Sequence, residues 1–179
     1  MNFCSQCGAP VHLGYPLGDD RQRYICTRCE TVHYENPCIV AGTLTVSDDG
    51  RVLLCKRAIE PRLGYWTLPA GFMENAESTE QAALRETREE ARAEVTSPFL
   101  YAVLDLPHIN QVYMIFKGIL VGDFAAGPES QEVALFREED IPWDDIAFST
   151  VTTTLTCFFD DRRKGHFPLH RQTLVRKVK

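Results

Sequence analysis

Five glutamates fall between Glu77 and Glu90, in the stretch GFMENAESTEQAALRETREE that begins at Gly71. Three of them, Glu86, Glu89 and Glu90, stand at i, i+3 and i+4, the spacing that brings side chains onto one arc of a helix. Carboxylates held that close raise one another's pKa unless a cation compensates. Arg85 lies one turn before Glu89 and can hold it, and a hard dication would neutralise the rest. An oxygen-only ligand set selects Mg²⁺ or Mn²⁺ over zinc, and Mg²⁺ keeps waters and substrate phosphates in its shell. That points to phosphoryl chemistry. The same residues also read as an ordinary charged helix facing solvent, and the segment alone does not separate the two.

A second constellation lies at the start of the chain. Cys4 and Cys7 form one Cys-x-x-Cys pair, and Cys26 and Cys29 form another. Four thiolates in two short knuckles meet the tetrahedral demand of a structural zinc ion, with every position filled by protein. A segment of this size has too little core to fold without such a staple. Redox-active pairs are the competing reading, but those usually open a helix within a larger fold. The count of seven cysteines argues against a secreted disulfide framework. Cys38, Cys55 and Cys157 sit in apolar surroundings and read as buried free thiols.

These groups need elements to position them. Between the knuckles, GYPLGDDRQRYIC predicts a hairpin that turns at Gly18 to Asp20 and returns through Tyr24 and Ile25. The Asn36-Pro37 pair marks the join, giving a ribbon over 1–36 and a second domain over 37–179. CIVAGTLTV and RVLLCKR read as strands around the Asp49-Gly50 turn, and FLYAVLDL, QVYMIFKGILV and EVALF as later strands. Ser78 and Gln81 predict a capping box for a helix over Thr79 to Arg92, with Ala83, Leu84, Thr87 and Ala91 facing inward. A second helix is predicted from Ser149, as N-cap, to Arg163, with Gly165 ending it. The order of elements argues for an α+β fold with a mixed sheet flanked by helices.

Composition narrows the classes of function. The 179 residues, 44% of them hydrophobic, suffice for one substantial core plus a small module. A net charge of −6 leaves most of the surface repelling nucleic-acid phosphates, so a small anionic substrate needs a metal or a local basic pocket. No run is long enough to span a membrane and the first residues carry no signal core, which makes a cytoplasmic location with no membrane partner the expectation.

Gly71, Glu77 and the run Arg85, Glu86, Glu89, Glu90 stand at the intervals of the Nudix box, and the chain resembles that family. Two positions depart from the pattern: Thr87 replaces an aliphatic residue and Arg92 replaces a glycine, which predicts altered capping and an intact metal site. The resemblance implies an α/β/α sandwich with a mixed β-sheet, preceded by the zinc ribbon. It implies that Glu86, Glu89 and Glu90 ligate Mg²⁺ or Mn²⁺ with the Gly71 carbonyl as a further ligand, while Glu77 and Arg85 hold the loop and orient the carboxylates. It implies hydrolysis of a nucleoside diphosphate linked to another group. It also makes a homodimer a candidate assembly.

A ribbon directly before such a domain occurs in NADH pyrophosphatases, including enzymes acting on NAD-capped RNA, and in a group resembling a plant plastid FAD and ADP-ribose pyrophosphatase. The Ser-Gln-Pro-Trp-Pro-Phe signature of the first group is absent between Ala93 and Gly122. YENP, LLCKRAIEPRLGYWTLPAGFME, GPESQEVALF and IPWDDIAFST are similar to the second group, so FAD and ADP-ribose are the expected substrates. Glu132, narrowly ahead of Glu129, is the expected additional carboxylate. Arg57 and Arg62 are candidate phosphate or adenine contacts, and Phe148 and Tyr113 candidate stacking partners for a ring. NADH hydrolysis and a non-catalytic nucleotide- or nucleic-acid-binding role are the alternatives.

Overall fold

The computed structural model describes residues 1–175. They divide into two compact units, one from Met1 to Pro37 and one beginning at Cys38.

In the first unit, β1 (Val11–Gly14) and β2 (Arg23–Cys26) form the expected antiparallel hairpin, with Val11 opposite Cys26. Asp19 organises the connection: it accepts from the Arg21 backbone N–H at 2.9 Å and from Arg23 Nε at 2.9 Å. A short third strand, β3 (Val32–His33), pairs with β2 and completes a three-stranded sheet. This sheet buries very few apolar side chains of its own.

The second unit is built on an eight-stranded mixed sheet. Its strands are β4 (Cys38–Val46), β5 (Val52–Arg57), β6 (Trp66–Thr67), β7 (Ala70–Phe72), β8 (Glu94–Leu106), β9 (Gln111–Val121), β10 (Ser130–Phe136) and β11 (His170–Thr173). The main path runs β10-β5-β4-β9-β8-β11, with β6 on β5 and β7 on β4. The pairs β4–β9 and β8–β11 are parallel and the others antiparallel. Helix α1 (Thr79–Ala91) lies on one face and α2 (Ser149–Lys164) on the other. Strand alternation sorts the two cores: Leu44, Val46, Val52 and Leu54 pack with Val151, Leu155, Phe158 and Phe159 of α2, whereas Ala41 packs with Ala82 and Ala83, and Leu53 and Cys55 with Ala91, of α1. This is the expected α/β/α sandwich.

Details differ from the sequence reading for physical reasons. The Ser78–Gln81 capping box forms as expected. Inside α1, Ala82 is buried and Leu84 is only half-buried. Thr87, at the position where an aliphatic residue is usual, is fully buried and fully bonded: its hydroxyl donates to the Ala83 carbonyl at 2.7 Å and lies 2.7 Å from Thr43 Oγ1, which lies 2.7 Å from Thr45 Oγ1. A buried hydroxyl is tolerable because every partner is supplied. Ser149 is not the N-cap of α2. Phe148 holds that place in extended backbone, with no side-chain cap, and Ser149 begins the first turn. Strand β8 starts at Glu94, well before Phe99, running through Pro98 at a register shift where a missing N–H costs no ladder bond. The polar edge strand β11 carries no hydrophobic alternation and was not expected. It is tied down by His170, whose Nε2 lies 2.6 Å from Asp161 Oδ2, the same oxygen that accepts from Tyr101 at 2.7 Å.

Candidate metal centres and substrate cleft

In the ribbon, the Sγ atoms of Cys4, Cys7, Cys26 and Cys29 all lie within 4.8 Å of one another. Cys4 and Cys29 are 3.6 Å apart and Cys7 and Cys26 3.5 Å, and all four are free thiols. A tetrahedron with metal–sulfur bonds of about 2.3 Å has sulfur edges of roughly 3.8 Å, so the donor set fits zinc. The sulfurs are already served by donors: the Gln6 N–H reaches Cys4, and the Arg28 and Cys29 N–H groups reach Cys26. The Thr31 hydroxyl and backbone hold the Cys29 thiol down at about 6, whereas Cys7, against the pull of the Ala9 N–H, is pushed up to about 11 by its bonds to Cys26 and Cys29, so without a cation the four sulfurs do not all ionise together. His33, buried, places Nε2 3.3 Å from Cys4 Sγ, a contact that Cys-x-x-Cys spacing gave no reason to seek.

In the second unit the acidic helix is arranged around Arg85. Its Nε and NH2 grip both oxygens of Glu77 at 3.1 and 2.8 Å, and NH1 donates to Glu86 at 2.7 Å and to Glu89 at 3.0 Å. NH2 also donates to the Phe72 carbonyl at 3.1 Å, tying the helix to β7. The bonds from Arg85 hold the Glu77 carboxyl below its ordinary range, helped by the Glu74 N–H at 2.6 Å. Glu90 points inward instead and is almost fully buried, accepting from the Ala70 N–H at 3.2 Å. Burial pushes Glu90 up to about 8, against the pull of that N–H, with the charges of Glu86 and Glu129 adding to the rise. Burial also raises Glu86, and its bonds to Arg85 offset this only in part.

Two glycines make the arrangement possible. A Cβ on Gly71 would collide with the Glu86 carboxylate, so glycine lets β7 pass against that group without displacing it from Arg85. A Cβ on Gly127 would lie 1.7 Å from the Glu89 carbonyl oxygen. Gly127 and Ala125 donate their N–H groups to the carbonyls of Glu90 and Ala91, each at 2.9 Å, so this loop caps the C-terminal end of α1. Arg92, in the usual glycine position, takes the left-handed conformation at φ 47 as C-cap. Gly127 was not singled out from sequence, although its place in GPES, just before a strand, marked a tight turn.

The capping loop also sets two carboxylates in different surroundings. Glu129 follows it directly, and its charge bears on both Glu86 and Glu90. Glu132, the residue preferred from sequence, lies along β10 and faces Lys56 at 3.9 Å. A one-residue shift in register between Ser130 and Glu132 separates the two, and alternation alone could not have shown it.

The donors on α1 are all oxygen, and the ionised forms of buried Glu90 and half-buried Glu86 oppose one another. A dication relieves that opposition, so the residues fit a hard metal ion. Among the described residues, however, only the four cysteines bring at least three metal-donor side chains within 4.8 Å of one another. Glu86 and Glu89 are held by Arg85 instead.

Beside this array opens a cleft of about 580 Å³ that begins at Ala70, Gly71 and Phe72. Arg57, Arg62, Tyr113 and Phe148 line it, so all four residues singled out from sequence share one wall system. Arg57 stacks over the Phe148 ring at 5.3 Å and donates to the Pro61 carbonyl at 2.7 Å. Arg62 lies over Tyr65 at 5.3 Å. His108, to which sequence spacing assigned nothing, and Thr150 also line the cleft.

Comparison with known proteins places this geometry. A family model described as the NUDIX domain matches residues 37–153, and one described as Nudix N-terminal, a zinc ribbon, matches residues 2–35. A NUDIX hydrolase of known crystal structure from Nitrosomonas europaea is 50% identical, with a TM-score of 0.93, covering 98% of this chain and 100% of that one. NAD-capped RNA hydrolase NudC of Edwardsiella ictaluri is 31% identical over 150 residues, which is 78% of this chain and 53% of NudC. ADP-ribose pyrophosphatase of Methanocaldococcus jannaschii is 28% identical over 115 residues, 61% of this chain and 67% of that one. The chain spans about half the length of the NudC-type relatives. No helix among the described residues is long and apolar enough to cross a membrane. With the family model spanning most of the chain and the ribbon model preceding it, this protein belongs to the Nudix hydrolase family, in the form that carries an N-terminal zinc ribbon.

Proposed function

We propose that the chain is a Mg²⁺- or Mn²⁺-dependent pyrophosphatase that splits FAD into FMN and AMP and takes ADP-ribose as a second substrate. The observation that carries this reading is the joining of the Arg85-organised glutamates to an aromatic, arginine-lined cleft through Ala70 and Gly71. Glu86, Glu89 and Glu90 would hold the metal, with the Gly71 carbonyl beside them. When bound, such an ion polarises a phosphoryl oxygen and offsets charge on the leaving phosphate.

The chain's own residues then have separate tasks. Arg85, anchored by Glu77, keeps Glu86 and Glu89 in register, and the Ala70 N–H aims Glu90. Arg57 and Arg62 offer charge to the substrate phosphates, and Phe148 and Tyr113 offer faces to a ring. Water oxygen bonds to one phosphorus while the bridging P–O bond breaks, its electron pair leaving with the other phosphate. The proton lost by the water passes to a carboxylate, and the nearness of Glu129 to Glu86 and Glu90 favours it over Glu132. The zinc of the ribbon is structural, since all four of its positions are thiols.

A second reading, hydrolysis of NAD-type substrates including capped RNA, has specific support in the 31% identity to NudC. It weakens the expectation, drawn from net charge, that nucleic acid is no partner. Incubating the protein with FAD, ADP-ribose and NADH and following AMP release separates the readings. Fast release from FAD that is lost in Glu89→Gln/Glu90→Gln supports the first. Turnover of NADH alone supports the second, and equal turnover by the variant removes the site assignment.

A further inference from the structure

The N-terminal end of α2 opens on the same cleft. This helix of 16 residues has no side-chain cap, because Phe148 occupies the N-cap position. Its first N–H groups therefore have no side-chain acceptor, and they carry the positive end of the helix dipole. In that first turn Thr150 is 3% exposed, yet its hydroxyl has no hydrogen-bond partner among the described residues. An orphaned buried hydroxyl is uncommon and carries a desolvation penalty that a ligand can relieve. Thr150 lines both the large cleft and a smaller recess of about 30 Å³, and Arg57, Tyr113 and Phe148 line both as well. The recess has the volume of one water molecule, room for a single oxygen.

The polar lining is donor-rich. Arg57 and Arg62 give only donors, and no Asp or Glu is among the residues lining the cleft. His108, Gln111 and Ser149 also line the cleft and can accept as well as donate, so acceptors are called for chiefly where Arg57 and Thr150 face it. Adenine presents an amino donor beside its ring acceptors, and a ribose presents hydroxyls that both donate and accept. The pyrimidine edge of a flavin presents two exocyclic carbonyl oxygens either side of one N3–H; such an oxygen projects from the ring into a narrow recess where adenine's ring nitrogens do not, and the planar ring suits Phe148 and Tyr113.

We propose that Thr150, the uncapped first turn of α2 and Arg57 form a subsite for the carbonyl edge of a planar heteroaromatic ring, so that the flavin half of the substrate occupies this cleft. One carbonyl oxygen enters the recess and takes the Thr150 hydroxyl as donor, while the ring lies against Phe148. The proposal rests on the reading of the chain as an FAD pyrophosphatase and adds to it which half goes where.

The test is calorimetric titration without added divalent ion, using FMN, AMP and ribose 5-phosphate. All three carry a phosphate monoester, so that shared group cancels. FMN should bind about tenfold more tightly than ribose 5-phosphate. Thr150→Val should weaken FMN by about fivefold or more, as expected for one buried hydrogen bond, and leave ribose 5-phosphate unchanged. Thr150→Ser should restore FMN binding. Equal affinities for FMN and ribose 5-phosphate, or an equal loss for all three ligands in Thr150→Val, would overturn the subsite. So would competition by inorganic phosphate that depends on Thr150 while FMN binding does not. Should Thr150→Val fail to fold, the ranking on the unsubstituted protein decides the matter together with Arg57→Met, which should weaken FMN more than ribose 5-phosphate; an equal loss for both would make Arg57 a phosphate contact only and overturn its place in the subsite. No turnover is required, so a failed FAD hydrolysis assay and a failed subsite are separate results.

Discussion

The two units solve the problem of holding polar groups together in opposite ways. In the ribbon, four sulfurs stand at distances suited to one metal and almost no apolar core surrounds them. In the second unit an extensive apolar core exists independently of any ion, and it forces carboxylates into positions their charges oppose. On the proposed reading, a metal on the four sulfurs is the main source of the ribbon's stability, whereas the glutamates of α1 are held at the expense of stability for the sake of chemistry.

Removing zinc should show the contrast most strongly. Extracting it with a thiol-specific reagent should unfold residues up to Pro37, seen as loss of amide protection there, while protection in β4, β8 and β9 stays. Retained protection in the ribbon after verified zinc loss would erase the distinction. Replacing Glu90 by Gln should lower turnover on the order of a thousandfold while leaving the second unit as stable or more so. A loss of stability along with activity would mean that Glu90 is structural.

The pH dependence sharpens the point. Glu90 is raised from 4.5 to about 8 in the fold, so the folded state holds this proton more tightly than the unfolded one. Its contribution is fully present below pH 4.5 and is lost as pH rises through 8. Without added divalent ion, the melting temperature of the second unit should fall across that window, and Glu90→Gln should flatten the fall. Gly71→Ala, which drives a methyl group into Glu86, should reduce activity about tenfold or more with the fold intact. Thr87→Val sits at the small end: it leaves Thr43 short of one partner and should cost about 1 kcal/mol in chemical denaturation, with Thr87→Ser close to neutral.

How much of this was legible in sequence follows from what each residue depends on. The cysteine pairs, the capping box and the glutamate arc are local patterns, and local spacing sets local geometry. Glu129 and Gly127 owe their roles to a loop that caps a distant helix end, and Thr43 becomes Thr87's partner only when β4 meets α1. Thr150 lies in a helix that sequence anticipated, but its missing hydrogen bond is a property of packing and has no sequence signature. Arg57, Arg62, Tyr113 and Phe148 could be named singly from residue type. Their meeting in one cleft depends on β5, β9 and α2 converging beside Gly71.

The central claim is that α1 presents its carboxylates to a divalent ion at the mouth of that cleft. The most direct measurement is Mn²⁺ binding to the zinc-loaded protein, followed by electron paramagnetic resonance, for the unsubstituted chain and for Glu86→Gln/Glu90→Gln. The account predicts Mn²⁺ binding that the double substitution abolishes while the ribbon keeps its zinc. Undiminished Mn²⁺ binding in the substituted protein would contradict it.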